Sequence, residues 1–347
     1  MDKTLASGAR KCWFDSSRAH NNMINLEKLQ KALSDQKPYR LKQAYKALFK
    51  DLISDWDEAT VFPIELRERL NKECPLDIKT GEVLEDKDTI KAKIILNDNL
   101  AIETVLMANT RGRNTVCVSS QVGCPMGCLF CATGSMGFKR NLSFSEIINQ
   151  IIFFARMGKD IDNIVFMGMG EPFLNYDEVI KAMRMINDKE GFNIGIRHIS
   201  VSTIGIPEMI ERFSRENMQV NLAISLHAPN DKLRTYLMPT NVGLEKLFES
   251  IDLYIQNTKR KVMFEYLLID GVNDDKECAQ ELANLMKKPL YFLNLIEYNP
   301  TGTKFKPSSE KNKKIFKDVL IENKIQFTER YRFGQNIKAA CGQLIVK

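Results

Sequence analysis

The sequence has 347 residues, of which 44% are hydrophobic and 27% charged; this excludes disordered and fibrous classes and suits one large domain with a small one. Its 50 basic and 44 acidic residues give a net charge of +6, a mild excess that leaves a nucleic-acid partner undecided. No apolar run reaches the roughly 20 residues that span a bilayer, and residues 1–22 lack a signal-peptide core, so we predict a soluble cytoplasmic protein with no membrane association.

The first part of the chain predicts a small helical domain. Residues 1–22 form a polar extension, and amphipathic patterning begins at Met23, which is therefore a candidate translation start. From residue 24 to about residue 86 the pattern is helical, and apolar side chains recur at spacings of three and four. This stripe includes Leu41, Ala44, Leu48 and Leu52. We assign residues 23–88 to this domain, which ends in a polar stretch at 80–88.

A β-hairpin is predicted next. Strand-like runs at 91–96 and 101–107 are separated by Asn97, Asp98 and Asn99, which favour a turn. We therefore assign residues 89–113 to a linking hairpin between the helical domain and the rest of the chain.

From residue 114 to residue 347 the chain alternates β-branched runs with helical segments. Seven runs are candidate strands: 116–119, 163–167, 199–203, 220–225, 262–268, 291–296 and 325–328. Ser143 and Glu146 form a capping box, and Pro207 suits a first helical turn. Such alternation predicts an α/β fold with a parallel sheet. About six units indicate a partial (β/α)6 TIM-type barrel, with an open doubly wound sheet as the alternative.

Three cysteines, Cys124, Cys128 and Cys131, lie on one loop directly after a predicted strand. The chain has eight cysteines at irregular spacing, which indicates metal chemistry in a reducing compartment rather than a disulfide framework. Three thiolates leave one iron of a 4Fe–4S cluster open for the amino and carboxylate groups of S-adenosylmethionine (SAM). The spacing C-x3-C-x2-C is the radical SAM signature. The alternative is a structural zinc site completed by Cys117.

Four further motifs follow predicted strands, where a barrel enzyme places its site. They are MGMGEP at 167–172, STIG at 202–205, SLHA at 225–228 and Asn299-Pro300. In the first motif, Glu171 is suited to accept a hydrogen bond from the SAM ammonium group. Each motif alone is weak, and His227 is also typical of a satisfied core histidine.

The chain resembles the RlmN/Cfr family of radical SAM RNA adenosine methyltransferases. The resemblance runs from about residue 39 to 344 and is carried by VSSQVGC at 118–124, MGMGEP, SLHAPN at 225–230 and AACGQL at 339–344. It implies a partial barrel preceded by a small helical RNA-binding domain. It also implies a flavodoxin-type electron donor and, we expect, a monomer.

The resemblance further implies a two-step mechanism that uses two SAM molecules per turnover. Cys341 takes a methyl group from the first. The second, cleaved by the cluster, gives a radical that activates the S-methyl group for addition to the adenine ring. Cys117 then releases the product, leaving a disulfide, and Glu103 matches the general base. The alternative interpretations are a small buried hydrophobe for Cys341, an inward-facing strand cysteine for Cys117 and a solvated carboxylate for Glu103.

For the SAM site, the resemblance transfers a set of residues at strand ends. These are Phe130, Gly170, Glu171, Ser202, Ser225, Leu226, His227 and Asn299.

Basic residues supply candidate RNA contacts. One stripe consists of Lys42, Lys46 and Lys50 on a predicted helix, where an ordinary solvated face is the alternative. A second cluster follows Asn299-Pro300 and comprises Lys304, Lys306, Lys311, Lys313, Lys314 and Lys317. Arg330 and Arg332 precede the Cys341 segment. We expect these groups to follow RNA phosphates.

The sequence thus predicts methylation of carbon 2 of adenosine in 23S ribosomal RNA and in tRNA. Pro172 favours this RlmN-like branch, since the Cfr-like branch, which methylates carbon 8 and confers antibiotic resistance, commonly has alanine there. Two other classes remain as alternatives: a radical SAM activase or maturase that does not act on RNA, and a non-enzymatic zinc module that binds RNA.

Overall fold

The computed structural model describes residues 23–109, 111–330 and 333–345, so the predicted polar extension 1–22 and Arg332 lie outside the described residues. The helices are α1 Leu26–Ala32, α2 Tyr39–Phe49, α3 Ile64–Glu73, α4 Ala132–Ser135, α5 Phe144–Arg156, α6 Tyr176–Asn187, α7 Pro207–Ser214, α8 Asp231–Leu237, α9 Leu244–Thr258, α10 Lys276–Leu285 and α11 Glu310–Glu322. The strands are β1 Thr80–Asp86, β2 Thr89–Ile95, β3 Ala101–Ala108, β4 Asn114–Cys117, β5 Gln121–Gly123, β6 Phe138–Asn141, β7 Asn163–Phe166, β8 Ile199–Thr203, β9 Asn221–Ser225, β10 Val262–Leu268, β11 Tyr291–Glu297 and β12 Phe327–Glu329.

The N-terminal helices pack against α5 of the larger α/β unit. Helix α2 buries Ala44 and Leu48, as the apolar stripe predicts, and ends at Phe49. The backbone N–H of Leu26 donates to Ser145 Oγ at 3.0 Å, and Asn149 Nδ2 donates to the Ile24 carbonyl at 2.8 Å. Apolar side chains of both parts belong to one continuous core, so the helices are fixed against the sheet rather than tethered to it.

The predicted hairpin is confirmed and extended by one strand. β2 and β3 pair antiparallel, with Ile94 opposite Ile102, and Asn99 occupies the turn with φ +63°. The stretch 80–88, expected to be a polar connection, contains β1, which pairs with β2. Sequence patterning missed β1 because it is an edge strand with largely exposed side chains and therefore lacks apolar alternation.

All seven predicted strands after residue 114 are present in one sheet. The order is β1-β2-β3-β4-β7-β8-β9-β10-β11-β12, and every pair from β4 onward is parallel. Strand order follows chain order, as in a barrel, whereas a doubly wound sheet reverses at a switch point. Within the described residues β1 and β12 are the edges of the ladder, so the fold is the predicted partial barrel.

The helix starts predicted at Ser143 and Pro207 are present in the structure. Ser143 caps α5 through a reciprocal box with Glu146, and Pro207 opens α7. The helices on the parallel strands cover the outside of the sheet, and the carboxyl ends of the strands converge on the segment 333–345. None of the described helices combines the length and apolar character needed to cross a bilayer.

Candidate active site

A cavity of about 200 Å³ lies at the carboxyl ends of the parallel strands. It gathers side chains from sequence positions more than 200 residues apart. The predicted site residues that line it are Cys117, Cys124, Cys128, Phe130, Cys131, Gly170, Glu171, Ser202, Ser225, His227, Asn299 and Cys341. Leu226 is fully buried in the core and does not line the cavity.

The loop that carries Cys124, Cys128 and Cys131 runs from β5 to α4. The Cys124 N–H donates to the carbonyl of Gly137 at 3.1 Å, and the Cys131 N–H donates to the carbonyl of Cys128 at 3.1 Å. Burial raises the pKa of Cys124 to about 12, and nearby Cys131 adds to the rise. For Cys128, burial is again the main cause of a raised pKa, followed by Cys131 and Cys124. Three mutually close thiols that resist ionisation need a positive centre to become thiolates.

This donor set fits an iron–sulfur cluster better than a single metal ion. Among the described residues no group of His, Cys, Asp or Glu side chains converges tightly enough to hold one ion. The thiols nevertheless line one wall of the cavity, as ligands spread around a larger inorganic core would. The charged neighbours that shift the pKa of Cys117 are Cys341 and Arg330, not the three loop thiols. This argues against a four-cysteine zinc site that includes Cys117.

Cys117 and Cys341 are free thiols that face the same cavity. Cys117 ends β4 and is buried; burial, with a smaller contribution from Cys341, raises its pKa to about 12. Arg330 opposes that rise, and its own pKa is raised chiefly by Cys341. The Arg330 guanidinium also lies 3.8 Å from the carboxylate of Glu265. Arg330 therefore lines the cavity, and its predicted contact with RNA phosphates stays a prediction.

Glu171 is held rigidly at the start of a short 3-10 helix, Pro172–Asn175. Its Oε1 accepts from the N–H of Phe173 at 3.0 Å, and its Oε2 accepts from the N–H of Ile204 at 2.8 Å. Burial raises its pKa. The two backbone donors fix the carboxylate but leave acceptor capacity, because a carboxylate has about four lone-pair positions. Ser202 and Ser225 lie next to it along the strand ends, with their Oγ atoms 3.3 Å apart.

His227 is both a packed residue and a cavity residue. Its Nδ1 accepts from the N–H of Leu267 at 3.2 Å, so Nε2 carries the proton of the neutral ring. Burial lowers its pKa to about 3, with a further contribution from Arg234. The Phe130 ring meets it edge-on, with centroids 4.9 Å apart. His227 therefore offers a hydrogen-bond donor inside the cavity and does not titrate near neutral pH.

Comparisons with known proteins agree with this geometry. A model of the radical SAM superfamily matches residues 118–283. "Ribosomal RNA large subunit methyltransferase N" of Nitrosopumilus maritimus (strain SCM1) is 43% identical over 323 residues, which cover 88% of this chain and 92% of that protein. "Probable dual-specificity RNA methyltransferase RlmN" of Caldicellulosiruptor saccharolyticus is 45% identical over 314 residues, covering 89% of this chain and 91% of that protein.

The crystal structure of a radical SAM methyltransferase from Sphaerobacter thermophilus has a TM-score of 0.88 and 42% identity, and the match covers 93% of this chain and 99% of that one. The chain belongs to the RlmN family of radical SAM methyltransferases. It is therefore an enzyme that uses a 4Fe–4S cluster and SAM. The zinc-module and maturase alternatives are set aside.

Glu103, matched by family resemblance to the general base, does not line the cavity of this RlmN-family chain. Its Oε1 lies 3.0 Å from Lys91 Nζ, and its Oε2 accepts from the N–H of Ile345 at 2.8 Å. The carboxylate thus holds the segment that carries Cys341. Its role as a proton acceptor stays a prediction.

Sequence reasoning missed two groups at the site, Glu265 and Lys91. Glu265 lines the cavity, and its Oε1 is buried with no hydrogen-bond partner among the described residues. Burial raises its pKa. A signal was present for both: each is a charged residue within a run of strand residues that are otherwise mostly apolar. Such residues at buried strand positions are uncommon unless they are paired or functional.

Proposed function

We propose that this enzyme methylates carbon 2 of adenosine in 23S ribosomal RNA and in tRNA, acting as a cytoplasmic monomer with a flavodoxin-type electron donor. Curated relatives at 43–45% identity are named as large-subunit ribosomal RNA or dual-specificity RNA methyltransferases. The observation that carries the proposal is that Cys117 and Cys341 share one cavity with the three cluster thiols. A methyl carrier, a resolving thiol and a radical source are needed together for this chemistry.

The first step requires Cys341 because the target carbon of adenine is electrophilic and cannot displace the methyl group of SAM. A thiolate can do so: the new bond joins the Cys341 sulfur to the methyl carbon, the sulfonium–methyl bond breaks, and S-adenosylhomocysteine leaves with the electron pair. The Arg330 guanidinium lines the same cavity as Cys341, and Cys341 is the main cause of the raised pKa of Arg330.

Cys124, Cys128 and Cys131 would hold the cluster, which when bound supplies the electron for reductive cleavage of a second SAM molecule. The polar groups available to orient SAM are Glu171, Ser202, Ser225, Asn299 and the Nε2–H of His227. Phe130 offers an apolar ring. Asn299 Nδ2 also lies 3.5 Å from the carbonyl oxygen of Cys341, which connects this set to the methyl carrier.

Release of the product requires a second thiol. Once the proton on carbon 2 of the ring adduct has been removed, the Cys117 thiolate attacks the Cys341 sulfur, a sulfur–sulfur bond forms, and the bond between the Cys341 sulfur and the bridging CH2 carbon breaks. Its electron pair moves onto the base, and the CH2 carbon takes up a proton to become the new methyl group. The resulting disulfide must be reduced by a cellular dithiol before the next turnover.

The RNA surface is best supported beside the cavity mouth. Lys304 Nζ lies 5.3 Å from the ring centroid of Tyr236, which is 41% exposed, and 5.9 Å from that of Phe305. Phe305 in turn packs edge-on against Tyr298, a cavity residue, at 6.2 Å. An exposed aromatic ring under a cation suits an unpaired base and its phosphate.

Four of the other eight predicted lysines form ion pairs with acidic groups. Lys42 pairs with Glu190 at 3.8 Å, and Lys46 pairs with Asp51 at 3.3 Å. In the second cluster, Lys317 pairs with Glu329 and Lys313 with Glu297 and Glu310. These pairs reduce the charge that the four lysines can offer to phosphates, so Lys304 is a stronger candidate for RNA contact than these four.

Mass spectrometry of nucleoside digests tests the proposal. The reconstituted enzyme is incubated with SAM, reductant and unmodified 23S ribosomal RNA or tRNA. We expect 2-methyladenosine in both RNAs. Production of 8-methyladenosine instead would establish the Cfr-like alternative, and methylation of ribosomal RNA alone would remove tRNA as a substrate.

A further inference from the structure

The segment 333–345 that presents Cys341 contains no helix or strand in its described residues. Its backbone is held by neighbours on the cluster side: the N–H of Ala132 donates to the carbonyl of Gly342 at 2.7 Å, and Thr133 Oγ1 donates to that of Leu344 at 2.6 Å. Because regular secondary structure does not fix this tail, contacts of this kind determine where the Cys341 sulfur lies.

Two charged side chains hold the other side of the same tail. Lys91 on β2 and Glu103 on β3 are only 9% and 7% exposed and form an ion pair at 3.0 Å. Lys91 Nζ also donates to the carbonyl of Lys338 at 3.3 Å, three residues before Cys341. Glu103 Oε2 accepts from the N–H of Ile345, four residues after it.

We propose that Lys91 and Glu103 form a clamp that positions Cys341 over the cavity. A buried ion pair by itself contributes little stability, because desolvation offsets the attraction between the charges. Two apolar residues at these positions could not hydrogen-bond to the tail. In this pair, Lys91 supplies a donor before Cys341 and Glu103 supplies an acceptor after it. The two strands that carry the clamp pair along their whole length, so the distance between its arms is fixed.

The clamp also couples opening of the tail to the availability of the Glu103 carboxylate, a consequence that rests on the proposed function. Glu103 Oε2 becomes free only when the Ile345 N–H leaves it. Opening of the tail therefore exposes the carboxylate that the family resemblance assigns as proton acceptor, whereas closure occupies it. Lys91 is a positioning residue in this scheme and touches no substrate.

Alkylation of Cys341 tests the clamp without RNA or SAM. The full-length protein with its cluster intact is treated anaerobically with iodoacetamide, and mass spectrometry follows the Cys341 peptide. We expect about tenfold faster labelling in Lys91→Met, because loss of a charge-assisted contact favours the open tail. Lys91→Arg, which keeps the donor, should label as the wild type does. Cys278 is buried on α10 and serves as the internal reference for an intact fold.

The exchanged double variant Lys91→Glu/Glu103→Lys separates a clamp from a structural ion pair. It restores opposite charges between β2 and β3 but places a carboxylate against a carbonyl and an ammonium against an N–H. We expect fast Cys341 labelling with slow Cys278 labelling. Wild-type labelling of Cys341 in this variant, or in Lys91→Met, would overturn the clamp.

Turnover provides a second readout. Lys91→Met should lower kcat for RNA methylation with little change in KM for RNA, since Lys91 does not contact RNA in this scheme. Asn336→Ala removes a different tail contact, that of Asn336 Nδ2 with Asp86 Oδ2 on the exposed surface, and should change neither labelling nor kcat. If the wild type shows no methylation at all while the labelling differences hold, the proposed function fails and the clamp stands.

Discussion

Two loops deliver cysteines to the same cavity by different physical means. The cluster loop is locked by its backbone: a Cβ on Gly123 would lie 1.8 Å from the carbonyl oxygen of Gly137. The tail is held by polar contacts with its neighbours; for example, Gln343 Nε2 of the tail donates to the carbonyl of Pro300 at 2.9 Å. A Cβ on Gly342 would meet nothing closer than 3.5 Å. The thiols expected to hold the cluster lie on a loop that is sterically closed at Gly123. The thiol proposed to carry a methyl group lies on a segment that hydrogen bonds hold in place.

Removing one thiol from each loop has the largest expected effect. Cys124→Ala and Cys341→Ser should each lower methyladenosine formation by more than about 10³-fold, since covalent and radical steps lack a substitute group. Iron analysis should distinguish them, because Cys124→Ala loses iron and Cys341→Ser keeps it. Iron loss in Cys341→Ser would mean that the tail is part of the cluster site.

Cys117→Ala should trap the enzyme at a later stage. With no thiol to attack Cys341, the RNA stays covalently attached to the tail. We expect a species on a denaturing gel that nuclease digestion shortens and that Cys341→Ser abolishes. Free methylated RNA at the wild-type rate would show that another group resolves the intermediate.

The different space around Gly123 and Gly342 should appear as different losses of unfolding free energy when each is replaced by alanine. Gly123→Ala should lower the free energy of unfolding by about 3 kcal/mol or more, because both φ +74° and a backbone clash oppose the methyl group. Gly342→Ala should cost about 1–2 kcal/mol, from its φ of +81° alone. Denaturant titration of both variants checks the order, and equal losses would contradict it.

Acid should reveal the burial of His227. Its pKa of about 3 in the folded protein lies below the ordinary histidine value of 6.5, so its contribution to stability is complete above pH 6.5 and is lost as the pH falls towards 3. By pH 4 the loss reaches roughly 3 kcal/mol. His227→Gln should flatten the decline of unfolding free energy over this window, as denaturant titration at each pH would measure. An unchanged slope in His227→Gln would mean that the ring is charged or hydrated.

The smallest expected effect is at the surface. Lys304→Glu should weaken RNA binding several-fold and reduce the slope of log K against log salt by about 1, as loss of one phosphate contact requires. Lys42→Glu, at a lysine already paired with Glu190, is the matched comparison and should change binding less. The reverse ranking would move the RNA surface to the helical segment.

The sequence by itself determined the barrel strands and the cluster motif, because both depend on neighbours in the chain. β-branched runs mark buried parallel strands, and three cysteines within eight residues must share one loop. The positions after strand ends were also predictable, since parallel strands bring their carboxyl ends to one edge of a sheet. These rules placed Glu171, Ser202, Ser225 and His227 correctly around the cavity.

Which groups the charged side chains contact was decided only by the tertiary structure. β1 lacks apolar alternation and exists through its pairing with β2. Arg330, expected on phosphates, lies between Cys341 and Glu265, and Glu103 holds Ile345, 242 residues away in the chain. Charged side chains are long, and the free energy of a charge depends on burial and on partners brought from anywhere in the chain. Sequence spacing therefore determines where thiols cluster, whereas the fold determines which charge holds which segment.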